Sequence, residues 1–114
     1  MQALNFVQTR FFCSWPGGPR RKVTVVVQSP EPDPKSLNPA DPNYRCGVAM
    51  SELAPHHYVY GSDTFQSLSL AFVYLRSEFE RLEDDGCQFF YSAADSENFS
   101  PMSNFFGDHS RNPW

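Results

Sequence analysis

The chain has 114 residues, enough for one hydrophobic core and too few for two. Its 11 Phe, 5 Tyr and 2 Trp give it more packing material than a disordered polymer carries. With 9 basic and 13 acidic side chains the formal charge is −4, which argues against a general affinity for nucleic acid, because that requires Lys and Arg to displace counterions from phosphate.

Residues 3–15, ALNFVQTRFFCSW, mix β-branched and aromatic side chains with polar ones and stop at PGGPRR, so they predict a strand entering a hairpin loop. No secretory leader is expected there, since Gln, Asn, Thr and Arg interrupt the apolar run. The next segment, KVTVVVQ, places Val23, Val25 and Val27 on one face of a strand and Thr24, Val26 and Gln28 on the other.

Residues 29–43 follow, with Pro30, Pro32, Pro34, Pro39 and Pro42 removing backbone donors, which excludes a central strand or a helix. A connection this long is either a stiff surface loop or a functional one. YRCGVAMSEL then alternates, with Tyr44, Cys46, Val48 and Met50 facing one way; Ala54-Pro55 reads as a turn and HHYVYG as a fourth strand.

A helix is expected from Ser62 or Asp63, either of which can cap its first turn. Phe65, Leu68, Phe72, Leu75, Phe79 and Leu82 recur at the helical repeat and are expected to lie inside, against the sheet, with Leu70, Ala71 and Val73 broadening the band. Glu83, Asp84 and Asp85 sit at the C-terminal end, where the helix dipole favours cations, and Gly86 supplies a left-handed stop. CQFFYS reads as a fifth strand. The remainder, residues 93–114, reads as an irregular tail pinned by Phe99, Phe105, Phe106 and Trp114, because Pro101 and Gly107 interrupt any long helix.

The expected fold is therefore α+β: one domain over residues 1–114, with an antiparallel four- to five-stranded sheet and one long amphipathic helix packed on one face. Alternating strand directions place the fifth strand beside the first and the fourth at the far edge. Three cysteines with no paired spacing suggest a reducing, cytoplasmic setting, and no run approaches the length of a membrane span.

The succession of a valine-rich strand ending at Pro30, Pro32 and Pro34, the Tyr44-x-Cys46 strand and the helix start Gly61-x-Asp63-x-x-Gln66-x-Leu68 resembles a family of small bacterial single-domain proteins of unknown function. The loop at residues 35–42 is longer than the family's, and the end beyond Ser92 is more aromatic. The resemblance implies the fold and carries no activity.

Catalytic and metal chemistry find little footing. Cys46, His56, His57 and Asp63 include good zinc ligands, but adjacent histidines on a strand point to opposite faces and no ligand-pair spacing is present. Cys46 alternates with core residues, and Cys87 follows an acidic turn that raises a thiol pKa. Glu31 with Asp33, and Glu83 with Asp84 and Asp85, have no evident apolar pocket for acid–base work. The glycines of GGPRRK precede a strand, where a phosphate loop precedes a helix. No cofactor or metal is expected.

What stands out is surface character: Glu31 and Asp33 on a proline-stiffened loop, His56, Tyr58 and Tyr60 on a strand, and the acidic end at Glu83, Asp84 and Asp85. Aromatic anchors and steering charges suit protein recognition. These eight residues are the expected partner-binding set, for an acidic, non-enzymatic domain of immunity or antidote type that masks a basic, toxin-like protein. A self-associating or small-ligand module, a homodimer through a sheet edge or the helix, is the alternative.

Overall fold

The computed structural model describes residues 5–51 and 53–107. Six strands and two helices follow in order: β1 (Asn5–Ser14), β2 (Arg21–Gln28), β3 (Glu31–Pro32), β4 (Tyr44–Met50), β5 (Ala54–Gly61), α1 (Thr64–Asp84), β6 (Gln88–Phe90) and α2 (Pro101–Phe106). The expected start of the first strand at residues 3 and 4, and Trp114, lie outside the described residues. The sheet runs β3-β4-β2-β1-β6, with β5 also paired to β4. The pairings of β1 with β6, and of β4 with β2, β3 and β5, are antiparallel. The fold is α+β, with the long helix on the sheet, and the order of the five longer-range strands is the one the alternation predicts. The sixth strand, β3, is two residues of the proline stretch laid along β4, a place at the sheet's margin where proline's missing N–H does no harm.

The described residues form two compact units, one within 5–9 and 24–75 and the other within 10–23 and 76–107, with β1, β2 and α1 contributing to both. In the first, Val25 and Val27 of β2 face Met50 and Val48 of β4 in register, and all four are buried with Cys46 and Ala54. Ser51 ends β4 with φ 44°, a left-handed value uncommon outside glycine; its hydroxyl accepts from the Thr24 N–H at 2.7 Å and donates to the Thr24 carbonyl at 3.1 Å, closing the ladder where β4 turns away.

Asp63 caps α1: its carboxylate accepts from the Gln66 N–H at 2.7 Å, and the Gln66 side chain accepts in return from the Ser62 N–H at 2.6 Å. The helix then departs from expectation. Leu75 is buried, but Phe65 is 80% exposed, Phe72 is 38% exposed and Leu68 is only half-buried. The side turned inward is Ser67, Ala71 and Leu75. The cause is close approach: a Cβ on Gly61 would meet the Ser67 amide nitrogen at 2.5 Å, so the first turn lies directly on the end of β5. The small Ser67 lets the backbone come that near, Ala71 continues the inward side one turn on, and the large side chains flanking them are turned aside.

In the second unit the same helix buries large residues. Phe79 meets Phe11 of β1 and Phe89 of β6 with ring centroids 5.7 and 5.9 Å apart, and Leu82 is buried with them. The helix ends as a Schellman motif: Gly86 (φ 88°) donates to the Glu83 carbonyl and Cys87 to the Leu82 carbonyl, both at 3.0 Å.

The aromatic tail is not irregular throughout. Ser100 caps α2, Pro101 occupies its first turn and Gly107 (φ 64°) closes it. The two residues that rule out a long helix are the natural boundaries of a short one, since proline is preformed at the first helical position and glycine at the stop. Phe105 and Phe99 pack 5.6 Å apart, and Phe105 reaches Phe79 at 5.6 Å, so the tail is pinned by its aromatics as the composition implies. A single bridge, with the Phe99 N–H donating to the Phe89 carbonyl at 2.8 Å, covers the free edge of β6.

Because Phe79 fills a closed aromatic cluster and Phe65 fills nothing, their truncations separate. Phe79→Ala is expected to lower unfolding free energy by about 3–5 kcal/mol, and Phe65→Ala by no more than about 0.5 kcal/mol, both read from urea melts; equal losses would contradict an inward face of Ser67, Ala71 and Leu75.

Candidate functional site

The residues singled out in the sequence divide between the two units. Glu31, Asp33, His56, Tyr58 and Tyr60 lie in the first, on β3, the loop after it and β5; Glu83, Asp84 and Asp85 lie in the second, at the end of α1. The structure gathers the first five and leaves the other three elsewhere.

Strand alternation explains the gathering. Arg45 pairs across β4 with Glu31 on one side and Tyr60 on the other, and Gly47 pairs with Tyr58, so all of them project from the sheet face opposite the buried Cys46 and Val48. The Arg45 Nε donates to Glu31 Oε1 at 2.7 Å, and its guanidinium lies 3.9 Å from the centre of the Tyr58 ring. Burial alone pulls the guanidinium down, yet hydrogen bonds and charge from Glu31, with the Tyr58 and Tyr60 phenols, hold it above the ordinary arginine value. It is a permanently charged, fixed plate between two tyrosines. Sequence reasoning passes over Arg45 because a lone arginine in an alternating strand looks like a solubilising residue.

Gly47 makes room beside it. A Cβ there would collide with the Gln28 amide and come 2.8 Å from His56 Nε2, because those two side chains, 3.3 Å apart, meet over the glycine. The His56 ring also stands edge-on to Tyr58, with centroids 4.6 Å apart. His57 points to the other face and stacks on Tyr74 of α1 at 4.5 Å, as alternation requires.

The proline loop is folded rather than loose. The Asp33 N–H donates to the Asn43 carbonyl at 2.8 Å, closing its neck, and Asp33 Oδ1 accepts from the Lys35 N–H at 3.0 Å. Ser36 Oγ accepts from the Asn43 N–H at 2.7 Å. Leu37 stands fully exposed at the tip. Asp33, Asn43, Tyr60 and Gly61 line an open cleft of about 370 Å³ beside the arginine–tyrosine cluster.

In the second unit Glu83 is engaged internally, Oε1 accepting from the Ser100 hydroxyl at 3.1 Å, whereas Asp84 and Asp85 are exposed. Arg20, in the PGGPRR segment read as a hairpin loop, ties down the chain after β6. Its guanidinium donates to the carbonyls of Ser92, Ala93 and Asp95 at 3.1, 2.9 and 2.6 Å and covers the Phe90 ring at 3.6 Å. A second hollow, about 430 Å³, is lined by Tyr91, Phe99, Asp95, Glu97 and their neighbours, and Tyr91 lies flat on Phe99 at 4.1 Å.

All three cysteines are free and buried. A hydrogen bond from the Cys87 thiol, with a smaller contribution from the Arg21 charge, holds Cys13 below the ordinary thiol value against the opposing effect of burial. Cys87 is pushed far up, mostly by that bond and by burial, with Asp85 a minor contributor. Burial also raises Cys46, whose thiol donates to the Gln28 carbonyl at 3.1 Å. Among the described residues no three His, Cys, Asp or Glu side chains converge as a metal would need, and no helix is long and apolar enough to cross a membrane.

No protein-family model, no curated protein and no solved structure matches this chain. The resemblance noted from its motifs therefore rests on those motifs alone.

Two substitutions test the supports of these surfaces. Gly47→Ala is expected to cost about 1–3 kcal/mol by overpacking, and less in a Gln28→Ala background, because the methyl then enters space the amide has left; a cost unchanged by Gln28→Ala would place the clash elsewhere. Arg20→Ala is expected to cost about 2 kcal/mol and to speed amide exchange across residues 92–99, with Arg20→Lys recovering only part, since one ammonium cannot reproduce the planar fork.

Proposed function

We propose that this chain is a non-enzymatic protein-binding domain whose contact surface is the sheet face bearing Glu31, Arg45, Tyr58, Tyr60 and His56, together with the proline loop. The observation that carries the reading is the Arg45 plate fixed between Glu31 and Tyr58 next to the Asp33–Asn43–Tyr60 cleft. Tyrosine and arginine are the residues that most often dominate binding energy, and side chains already held in place lose little entropy when a partner arrives.

The cleft specifies a feature of that partner. Its polar groups are a carboxylate, a carboxamide and a phenol, a set that receives a lysine or arginine side chain with the carboxylate as counter-charge. Leu37 at the loop tip offers an apolar anchor beyond it. A partner with a protruding basic side chain beside an apolar hollow fits this surface, and an antidote that masks a basic protein is one role such a surface serves.

The test is affinity capture from a lysate of the source organism, followed by measurement of the purified pair. Tyr60→Ala and Asp33→Asn are each expected to weaken binding tenfold or more, about 1.4 kcal/mol per decade, while Asp84→Asn with Asp85→Asn leaves it within twofold. A partner that ignores the first two variants and is lost with the acidic pair would move the surface to the end of α1.

A further inference from the structure

The two margins of the sheet are treated differently. β6 is three residues long and its edge is bridged by Phe99. β5 is eight residues long, pairs with β4 on one side, and among the described residues has no strand on the other. Natural proteins blunt such an edge with charge, a bulge or a covering segment, because a row of unpaired N–H and C=O groups is a template for another strand. β5 carries no Lys, Arg, Asp or Glu, and its proline, Pro55, stands at the start.

Beside this edge lies an apolar flank of α1. Tyr74 stacks on His57 of β5, which fixes the side of the helix that faces the edge. At about 100° per residue, Leu70 and Val73 lie beyond Tyr74 on that same side, farther from the inward-facing Ser67 and Ala71. They are 39% and 57% exposed. Phe65 and Phe72 lie on the opposite flank and take no part.

From these features we infer that the occupant of the edge is a second copy of this chain, paired β5 to β5 about a twofold axis, with Leu70 and Val73 of the two α1 helices meeting over the seam. Antiparallel pairing of a strand with its own copy satisfies both edges with one geometry. Charge favours self-pairing over a charged partner: residues 54–75 contain a single charged side chain, Asp63, in a chain of net charge −4. Along this seam two copies meet with little like-charge repulsion, and a strongly charged partner finds little to select. One strand edge of eight residues with a two-residue helix flank is a small contact beside the about 1,200–2,000 Å² of stable complexes, so the inferred dimer is a weak, concentration-dependent one.

The seam is separate from the proposed binding face, so either can fail alone. Sedimentation velocity on the full chain between about 1 and 200 µM is expected to show a monomer–dimer transition near 10 µM. Leu70→Glu with Val73→Glu, at positions exposed enough to tolerate charge, is expected to weaken it at least tenfold while leaving the thermal midpoint of dilute protein unchanged. In wild-type protein, amide exchange across residues 54–61 is expected to slow as concentration rises, a readout that needs no variant. A monomer at every concentration overturns the inference, as does a dimer that the double variant leaves intact and whose formation does not slow exchange in β5.

Discussion

A helix laid on a sheet can bury only one stripe of its surface, and α1 meets that limit in two ways along its length. In its first half the stripe is the small, buried Ser67 and Ala71, with the backbone at Ser67 pressed onto Gly61; in its second half it is Phe79 and Leu82, large residues that fill an aromatic core. One choice produces closeness and the other produces volume. Where closeness was selected, the neighbouring apolar side chains have nowhere to go, and Phe65, Leu70, Phe72 and Val73 remain in solvent. Where volume was selected, Phe105 and Phe106 of the tail close over Phe79. Among the described residues, the large apolar side chains left exposed fall, Tyr91 apart, in the unit that contains the first half of α1, and so do the arginine–tyrosine face and the open strand edge.

The charge pattern along the chain is a poor guide to the charge pattern in space. Residues 1–45 carry six basic and three acidic side chains and residues 46–114 carry three and ten, which suggests a basic end and an acidic end. Folding redistributes both. Arg45 neutralises Glu31, Arg20 is absorbed by backbone carbonyls, and Glu83 turns inward to Ser100. Near the tyrosines Asp33 lines the cleft on a loop held by hydrogen bonds at its neck, and a charge fixed in place selects partners by position.

Much of the fold was legible because it rests on local rules. Alternation identified the faces of β2 and β4 and set His56 and His57 on opposite sides of β5, Asp63 and Gly86 bounded the helix, and alternating strand directions gave the strand order. The helix's inward face was misread for a definite reason: Phe65, Leu68, Phe72, Leu75, Phe79 and Leu82 do share a stripe, and hydrophobic periodicity weights size and polarity. It has no weight for the closeness that Ser67 permits, which only the position of Gly61 reveals. The tail helix was missed because Pro101 and Gly107 were read as breakers, when α2 begins at the first and stops at the second. Of the eight candidate site residues, Glu31, His56, Tyr58 and Tyr60 come together because they share one sheet face, and Asp33 joins them across the cleft from the loop after β3, while Arg45 and Leu37, which complete that surface, carry no signal beyond composition.

The strand that carries the candidate face is also the strand with the open edge, and the two uses do not compete. Successive β5 side chains alternate, so Tyr58, Tyr60 and His56 project from one face and His57 from the other, while the edge offers only backbone. Pairing two copies through that backbone leaves both tyrosine faces uncovered and places them side by side on one continuous sheet surface, related by the twofold axis. A partner with two suitable basic side chains would then gain from the second contact an effective concentration set by the sheet itself, with no linker to order. Were both proposals to hold, the weak edge contact and the single-site affinity would reinforce each other: a bound partner would hold two copies together, and a pair of copies would present two sites.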